Sequence, residues 1–132
     1  MARPRHENPT PAELEVLQVI WDQGPATVRS IMEVLNQQRP RAYTSVMSLM
    51  TVMAEKKLLA AKPQGRAFVY SAKLTRMKAQ SRILRDMLGR VFDGSASSLV
   101  THLLEQANPA PEELDEIRQT IADFEQTKGE EK

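Results

Sequence analysis

Followed along the chain, the apolar side chains pass from a helical period to a period of two and back again. Leu14, Leu17, Ile20 and Trp21 form the first helical stripe. Ahead of them Thr10-Pro11-Ala12-Glu13 has the form of a capping box with proline at the first helical position. Gly24-Pro25 ends that helix. Thr27 can cap a second, in which Val28, Ile31 and Leu35 share a face, and Asn36-Gln37-Gln38-Arg39-Pro40 is a polar break. Because the residue before a proline is disfavoured in the α region, a third helix must start afresh. It is predicted over about 44–57 with Thr44 as N-cap, and Val46, Leu49, Met50 and Met53 recur at i, i+3, i+4 and i+7 on its buried side.

After Leu58 the period becomes two. Leu59 to Lys62 and Ala67 to Tyr70 read as the strands of a hairpin, with Pro63-Gln64-Gly65-Arg66 as its turn and Gly65 supplying the positive φ. Phe68 and Tyr70 fall on one side, and Lys62 and Arg66 flank the tip. From Leu74 the pattern is helical again. A helix from Thr75 or Arg76 to Val91 has Ile83, Leu84, Met87 and Leu88 as its apolar positions. Another from about Ser95 to Gln106 has Leu99, Val100, Leu103 and Leu104. A last one follows Asn108-Pro109-Ala110-Pro111 with Leu114, Ile117, Ile121 and Phe124. The fold class is therefore mainly α with a small β-hairpin, a winged helix-turn-helix over 1–73 followed by a helical region over 74–132.

The third helix and its hairpin carry the chemistry. Opposite the buried side stand Ser45, Met47, Ser48 and Thr51, short or flexible side chains that let a helix sink into a groove and offer hydroxyls and a thioether to base edges; nothing there is acidic before Glu55. The basic hairpin tip suits a phosphate or an adjacent minor groove. A winged helix can also serve protein contact, but that use favours large apolar or acidic residues where Thr44, Ser45 and Ser48 stand. The three C-terminal helices are too small to close a core against their chain entropy, which predicts a second copy of the chain as their partner. Leu84, Leu88, Leu99, Leu103, Leu114, Ile117 and Ile121 are the expected contact residues.

These segments resemble the BlaI/MecI/CopY penicillinase-repressor family of bacterial transcriptional regulators. The resemblance is carried by Pro11-Ala12-Glu13-Leu14-Glu15-Val16-Leu17 with Trp21, by Ala26-Thr27-Val28-Arg29, by Ala42-Tyr43-Thr44-Ser45-Val46-Met47-Ser48-Leu49-Met50 and by Gly65-Arg66-Ala67-Phe68-Val69-Tyr70. Outside the DNA-binding half it continues in Phe92-Asp93-Gly94-Ser95-Ala96-Ser97-Ser98-Leu99-Val100 and Glu112-Glu113-Leu114-Asp115-Glu116-Ile117-Arg118, so that it spans about Thr10 to Phe124.

The resemblance implies a homodimeric repressor on double-stranded, palindromic operator DNA. Ser45, Met47 and Ser48 would face bases beside Thr44, while Arg41, Tyr43, Lys62 and Arg66 would meet the backbone. It further implies a sensor-linked protease that cuts an Asn-Phe bond in the dimerisation region of β-lactam-responsive members. Counted from Ser98-Leu99-Val100, the corresponding pair here is His102-Leu103, without the asparagine. Three more positions depart from the family pattern. Lys57 stands at a usual glycine, Val52 at a frequent arginine, and Ala110 where a serine cap is expected.

Charge sharpens this picture only slightly. The net charge of +1 hides ten Lys/Arg against six Asp/Glu in residues 1–75, and eight against eleven in 76–132, so the basic half is the half with the wing. With no cysteine, disulfides, thiol sensing and the thiolate sites of the family's copper-responsive branch are excluded. His6 and His102 stand apart from any metal-ligand spacing, the acidic run Glu112 to Glu116 suits a helix N-terminus, and no nucleophile motif or phosphate loop is present. Neither an enzyme nor a cofactor or metal site is expected. The absence of a membrane-length apolar run or an apolar leader near Met1 predicts a cytoplasmic protein with no membrane insertion.

Overall fold

A computed structural model describes residues 8–130; His6 lies outside them. The described elements are α1 (Pro11–Gln23), α2 (Val28–Leu35), α3 (Tyr43–Glu55), β1 (Leu59–Gln64), β2 (Ala67–Ala72), α4 (Arg76–Arg90), α5 (Ala96–Ala107) and α6 (Pro111–Glu130). They divide into two compact units, the first ending at Arg85 and the second beginning at Asp86. The first unit reaches past the expected boundary at residue 73 because Leu74 and Ala79 are buried in its core.

Each helix of the first unit begins and ends for a local reason. At α1 the Thr10 hydroxyl accepts from the Glu13 amide at 3.2 Å and the Glu13 carboxylate accepts from the Thr10 amide at 3.0 Å, completing the capping box. Gly24 ends the helix with φ +95°. Thr27 caps α2 by accepting from the Ser30 amide. The buried face of α1 is broader than its sequence stripe. Val16 and Val19 join Leu17 and Ile20 in the core, while Leu14 and Trp21 are only partly covered.

Helix α3 starts one residue before the expected cap. Ala42 is the N-cap, with extended backbone and no side-chain hydrogen bond, and Thr44 lies inside the first turn. The reason is upstream: the Asn36 side chain fixes the backbone of Arg41, so the chain is already placed to turn at Ala42. At the other end Lys57 has φ +69°, the Lys57 amide donates to Ala54 O at 3.1 Å and the Leu58 amide to Met53 O at 2.9 Å. This is a Schellman ending with lysine in the left-handed position that glycine usually fills. Burial of Leu58 and Met53 on either side of it holds the turn in place.

The hairpin is antiparallel and longer than its apolar pattern indicates, pairing Leu59 with Ala72 through Gln64 with Ala67. Pro63 and Gln64 belong to the strand, and the turn shrinks to Gly65-Arg66, with Gly65 at φ +64°. Tyr70 also exchanges both backbone hydrogen bonds with Ala26, which ties the wing to the α1–α2 connection. One core results, built from Val16, Leu17, Ile31, Met50, Met53, Leu59 and their neighbours.

In the second unit Ser95 caps α5 by accepting from the Ser98 amide at 3.1 Å, and Asn108 ends that helix in the left-handed region at φ +47°. Local signals therefore define α5 well. Yet no residue of α5 or α6 is buried among those described. Leu99, Leu104, Leu114 and Ile117 are half-covered, while Leu103, Ile121 and Phe124 are 54%, 52% and 63% exposed.

Candidate nucleic-acid interface

The outer face of α3 is what its sequence indicates. Val46, Met50 and Met53 are buried, and Tyr43, Thr44, Ser45, Met47, Ser48, Thr51 and Val52 are exposed. The Thr51 hydroxyl is not free, since it donates to Met47 O at 2.8 Å within the helix. Ser45 and Ser48 are exposed and make no such bond among the described residues. With no capping side chain on Ala42, the amides of the first turn also stay open, and they carry the positive end of the helix dipole.

Across-strand pairing decides which wing residues accompany this helix. Phe68 and Tyr70 share a face with their partners Pro63 and Ala61, and that face turns toward α3, where Phe68, Tyr70, Met47, Thr51 and Tyr43 line a groove of about 560 Å³. Arg66 at the tip and Arg29 on α2 supply its positive charge. Lys62 pairs with Val69 and lies on the opposite face, so the two basic residues expected to act together at the tip point from different sides of the ribbon.

Two residues of this surface escaped the sequence reading. Arg29 places its guanidinium 5.7 Å from the centre of the Tyr43 ring, which brings a cation from α2 to the start of α3. Its position two residues after the Thr27 cap, facing away from Val28 and Ile31, was the available signal. Phe68 was placed on a strand face but not beside α3, because only the folded wing shows that this face closes on the helix.

Arg41 is placed differently from the other expected backbone contacts. Its side chain is 11% exposed and its guanidinium lies 3.3 Å from Glu15 of α1, where Arg39 also approaches at 3.5 Å. Both terminal nitrogens are out of solvent and without a hydrogen-bond partner, so Glu15 holds the guanidinium by charge and not by a hydrogen bond. Charge also anchors the far end of α3, where Lys56 donates to both carboxylate oxygens of buried Glu13 at 3.0 and 2.8 Å. A carboxylate taken from water needs such a partner, and this pair joins the start of α1 to the end of α3.

In the second unit, His102 and Leu103 sit in the middle of α5. The His102 ring packs edge-on to Phe92 at 5.4 Å, and its Nδ1 is 2.9 Å from Ser98 O. No group of acidic, histidine or cysteine side chains suited to a metal occurs among the described residues, and no described helix is long and apolar enough to cross a membrane.

The chain is similar to known proteins over most of its length. The profile of the penicillinase repressor family matches residues 9–123. The chain is 24% identical over 110 residues to the methicillin resistance regulatory protein MecI of Mammaliicoccus sciuri, covering 83% of this chain and 89% of that one. It is 24% identical over 119 residues to the penicillinase repressor of Bacillus licheniformis, covering 90% and 93%. It is 29% identical over 119 residues to the transcriptional regulator BlaI of Mycobacterium tuberculosis H37Rv, covering 89% and 85%. The winged helix-turn-helix, its exposed hydroxyl-bearing third helix and a match over nearly the whole chain together place this protein in the penicillinase repressor family of transcriptional regulators.

Proposed function

We propose that this protein is a dimeric transcriptional repressor that binds a palindromic operator through α3 and the wing. The observation that carries the reading is an exposed α3 face with two unengaged serine hydroxyls, set beside a groove rimmed by arginine. Ser45 and Ser48 read base edges, Met47 meets a thymine methyl and Thr44, freed from capping, lies beside them. Tyr43, the open amides of the first turn, Lys62 and Arg66 meet the phosphate backbone. The protein-contact alternative is less well supported, because this face carries no acidic residue before Glu55 and its exposed Tyr43, Met47 and Val52 are interrupted by hydroxyl side chains.

The N-terminal winged helix is the DNA-binding domain and the C-terminal helices form the dimerisation domain. Leu84, Leu88, Leu99, Leu103, Leu114, Ile117 and Ile121 bury against a second copy, and the two-fold axis so created presents two recognition helices to two half-sites. Repression requires only occupancy of DNA, so no catalytic group is needed. A footprint of the purified protein on its own upstream DNA tests the reading, and absence of a protected two-fold site would sink it.

Repression is relieved by a signal other than β-lactam-triggered cleavage. The His102-Leu103 bond lacks the asparagine of the family's cut site and lies mid-helix, where a protease must first open the backbone locally. Cleavage there would separate the DNA-binding half from most of the dimer surface. Intact mass after β-lactam exposure of the host decides the matter. Unchanged mass with target genes derepressed supports the reading, whereas fragments ending at His102 reverse it.

A further inference from the structure

We infer that Arg41 is a positioning residue, which sets the start of the recognition helix from inside the protein instead of contacting phosphate; the inference rests on the DNA-reading role given to α3. Three elements meet at this residue. The Asn36 side chain, at the end of α2, accepts the Arg41 amide at 2.9 Å, and its Nδ2 approaches the Arg41 carbonyl at 3.5 Å. The Arg41 guanidinium reaches Glu15 on α1 at 3.3 Å. The next residue, Ala42, is the N-cap of α3.

The geometry separates this role from phosphate contact. A phosphate oxygen must come within hydrogen-bond distance of a guanidinium nitrogen, and both terminal nitrogens of Arg41 are buried in the free protein. Arg66 and Arg29 are exposed and already supply charge at the groove. Arg41 instead fixes the chain just ahead of a helix start that no side chain caps. Ala42 has no side chain with which to fix the first turn, so the position and direction of the helix start depend on the backbone immediately before it. Asn36 clamps that backbone by hydrogen bonding, and Glu15 draws the side chain toward α1 by charge. The connection between α2 and α3 is thereby tied to α1, and base readout by Ser45 and Ser48 inherits its register from an ion pair that is not part of the groove lining.

The test compares Arg41→Ala, Glu15→Gln and the double variant in the full-length protein, by amide exchange without DNA and by operator titration across salt concentrations. Arg41→Ala and Glu15→Gln are each expected to speed exchange at the Arg41 and Val46 amides and to weaken operator binding about tenfold. The double variant should lose little more than either single one, as for residues acting through one contact. The slope of affinity against salt should stay that of wild type. The inference is overturned if Arg41→Ala lowers that slope by about 0.9, the value for one lost phosphate, while Glu15→Gln binds as well as wild type or better. Unchanged exchange in both single variants also overturns it. If wild type binds no operator, the DNA-reading proposal fails by itself, and the exchange measurements still decide whether Arg41 and Glu15 hold the helix start.

Discussion

The two units of this chain spend their apolar residues in opposite ways. In the first, side chains from α1, α2, α3 and the hairpin close on one another until Leu17, Ile31, Met50 and Met53 have no exposed surface. In the second, α5 is equally well delimited, capped by Ser95 and ended at Asn108, yet no described residue of α5 or α6 is buried, and Leu103, Ile121 and Phe124 keep more than half their surface in solvent. Helix signals and helix packing are separate facts. Capping and periodicity make a helix, but only a partner surface removes its stripe from water, at roughly 1.5–3 kcal/mol for each large apolar side chain. A unit that supplies its own partner can fold alone. One that does not carries an interface, and the second unit is the interface we assign to dimerisation.

That contrast can be broken most directly at the exposed stripe. Leu103→Asp or Ile117→Asp should give monomers in sedimentation, with operator affinity falling about 10²- to 10⁴-fold through loss of the linked second half-site. Unfolding of the winged helix should move by no more than about 0.5 kcal/mol. A variant that still sediments as a dimer would end the assignment of that residue. A fragment ending at Arg85, which retains Leu74 and Ala79, should be a folded monomer at micromolar concentration. Dimerisation of that fragment would place the interface elsewhere.

The reverse experiment is aimed at the closed core. Leu17→Ala should cost about 2–5 kcal/mol in urea unfolding, because neighbours packed from three helices cannot collapse fully into the space left behind. Loss of less than 1 kcal/mol would mean that the core is far looser than its burial indicates. On the outer face of α3 the effects should be smaller and of two kinds. Ser48→Ala should change discrimination among operator variants by at most about 1–3 kcal/mol. Arg66→Ala should weaken all sequences alike and lower the salt slope by about 0.9. If a Ser45/Ser48 double alanine variant keeps the sequence preference of wild type, base readout lies elsewhere.

The smallest expected effect concerns the left-handed ending of α3. Lys57 pays a steric cost at φ +69° that glycine avoids, offset in part by the greater freedom glycine brings to the unfolded chain. Lys57→Gly should therefore stabilise the protein by about 0.5–1 kcal/mol, read as a raised midpoint in thermal unfolding with operator affinity unchanged. Destabilisation would show that the lysine side chain contributes something beyond its backbone conformation.

Residue spacing and turn chemistry were enough to place α1, α2, the buried side of α3, the hairpin and the three C-terminal helices. Each depends on neighbours within a few positions: Thr10 and Glu13, Thr27 and Ser30, Gly65 in its turn, Ser95 and Ser98. The exposed serines of α3 were legible for the same reason, since burial of Val46, Met50 and Met53 fixes what the other side must be. Contacts that depend on how the chain turns between elements, or on residues far apart in sequence, were not. Thr44 is a good cap by composition, but Asn36 sets the backbone of Arg41 and moves the helix start to Ala42. Arg41 reads as a free cation until Glu15, far earlier in the chain, is brought beside it, and Lys56 finds Glu13 in the same way.

The sequence by itself thus determined which segments become helix or strand and which faces are apolar, because capping, turn formation and side-chain periodicity act over one or two turns of chain. Only the tertiary structure decided which charges turn inward, which wing face meets α3 and how far the first core extends into α4. Those outcomes depend on distances between residues tens of positions apart, and no local pattern encodes such distances until packing brings the residues together.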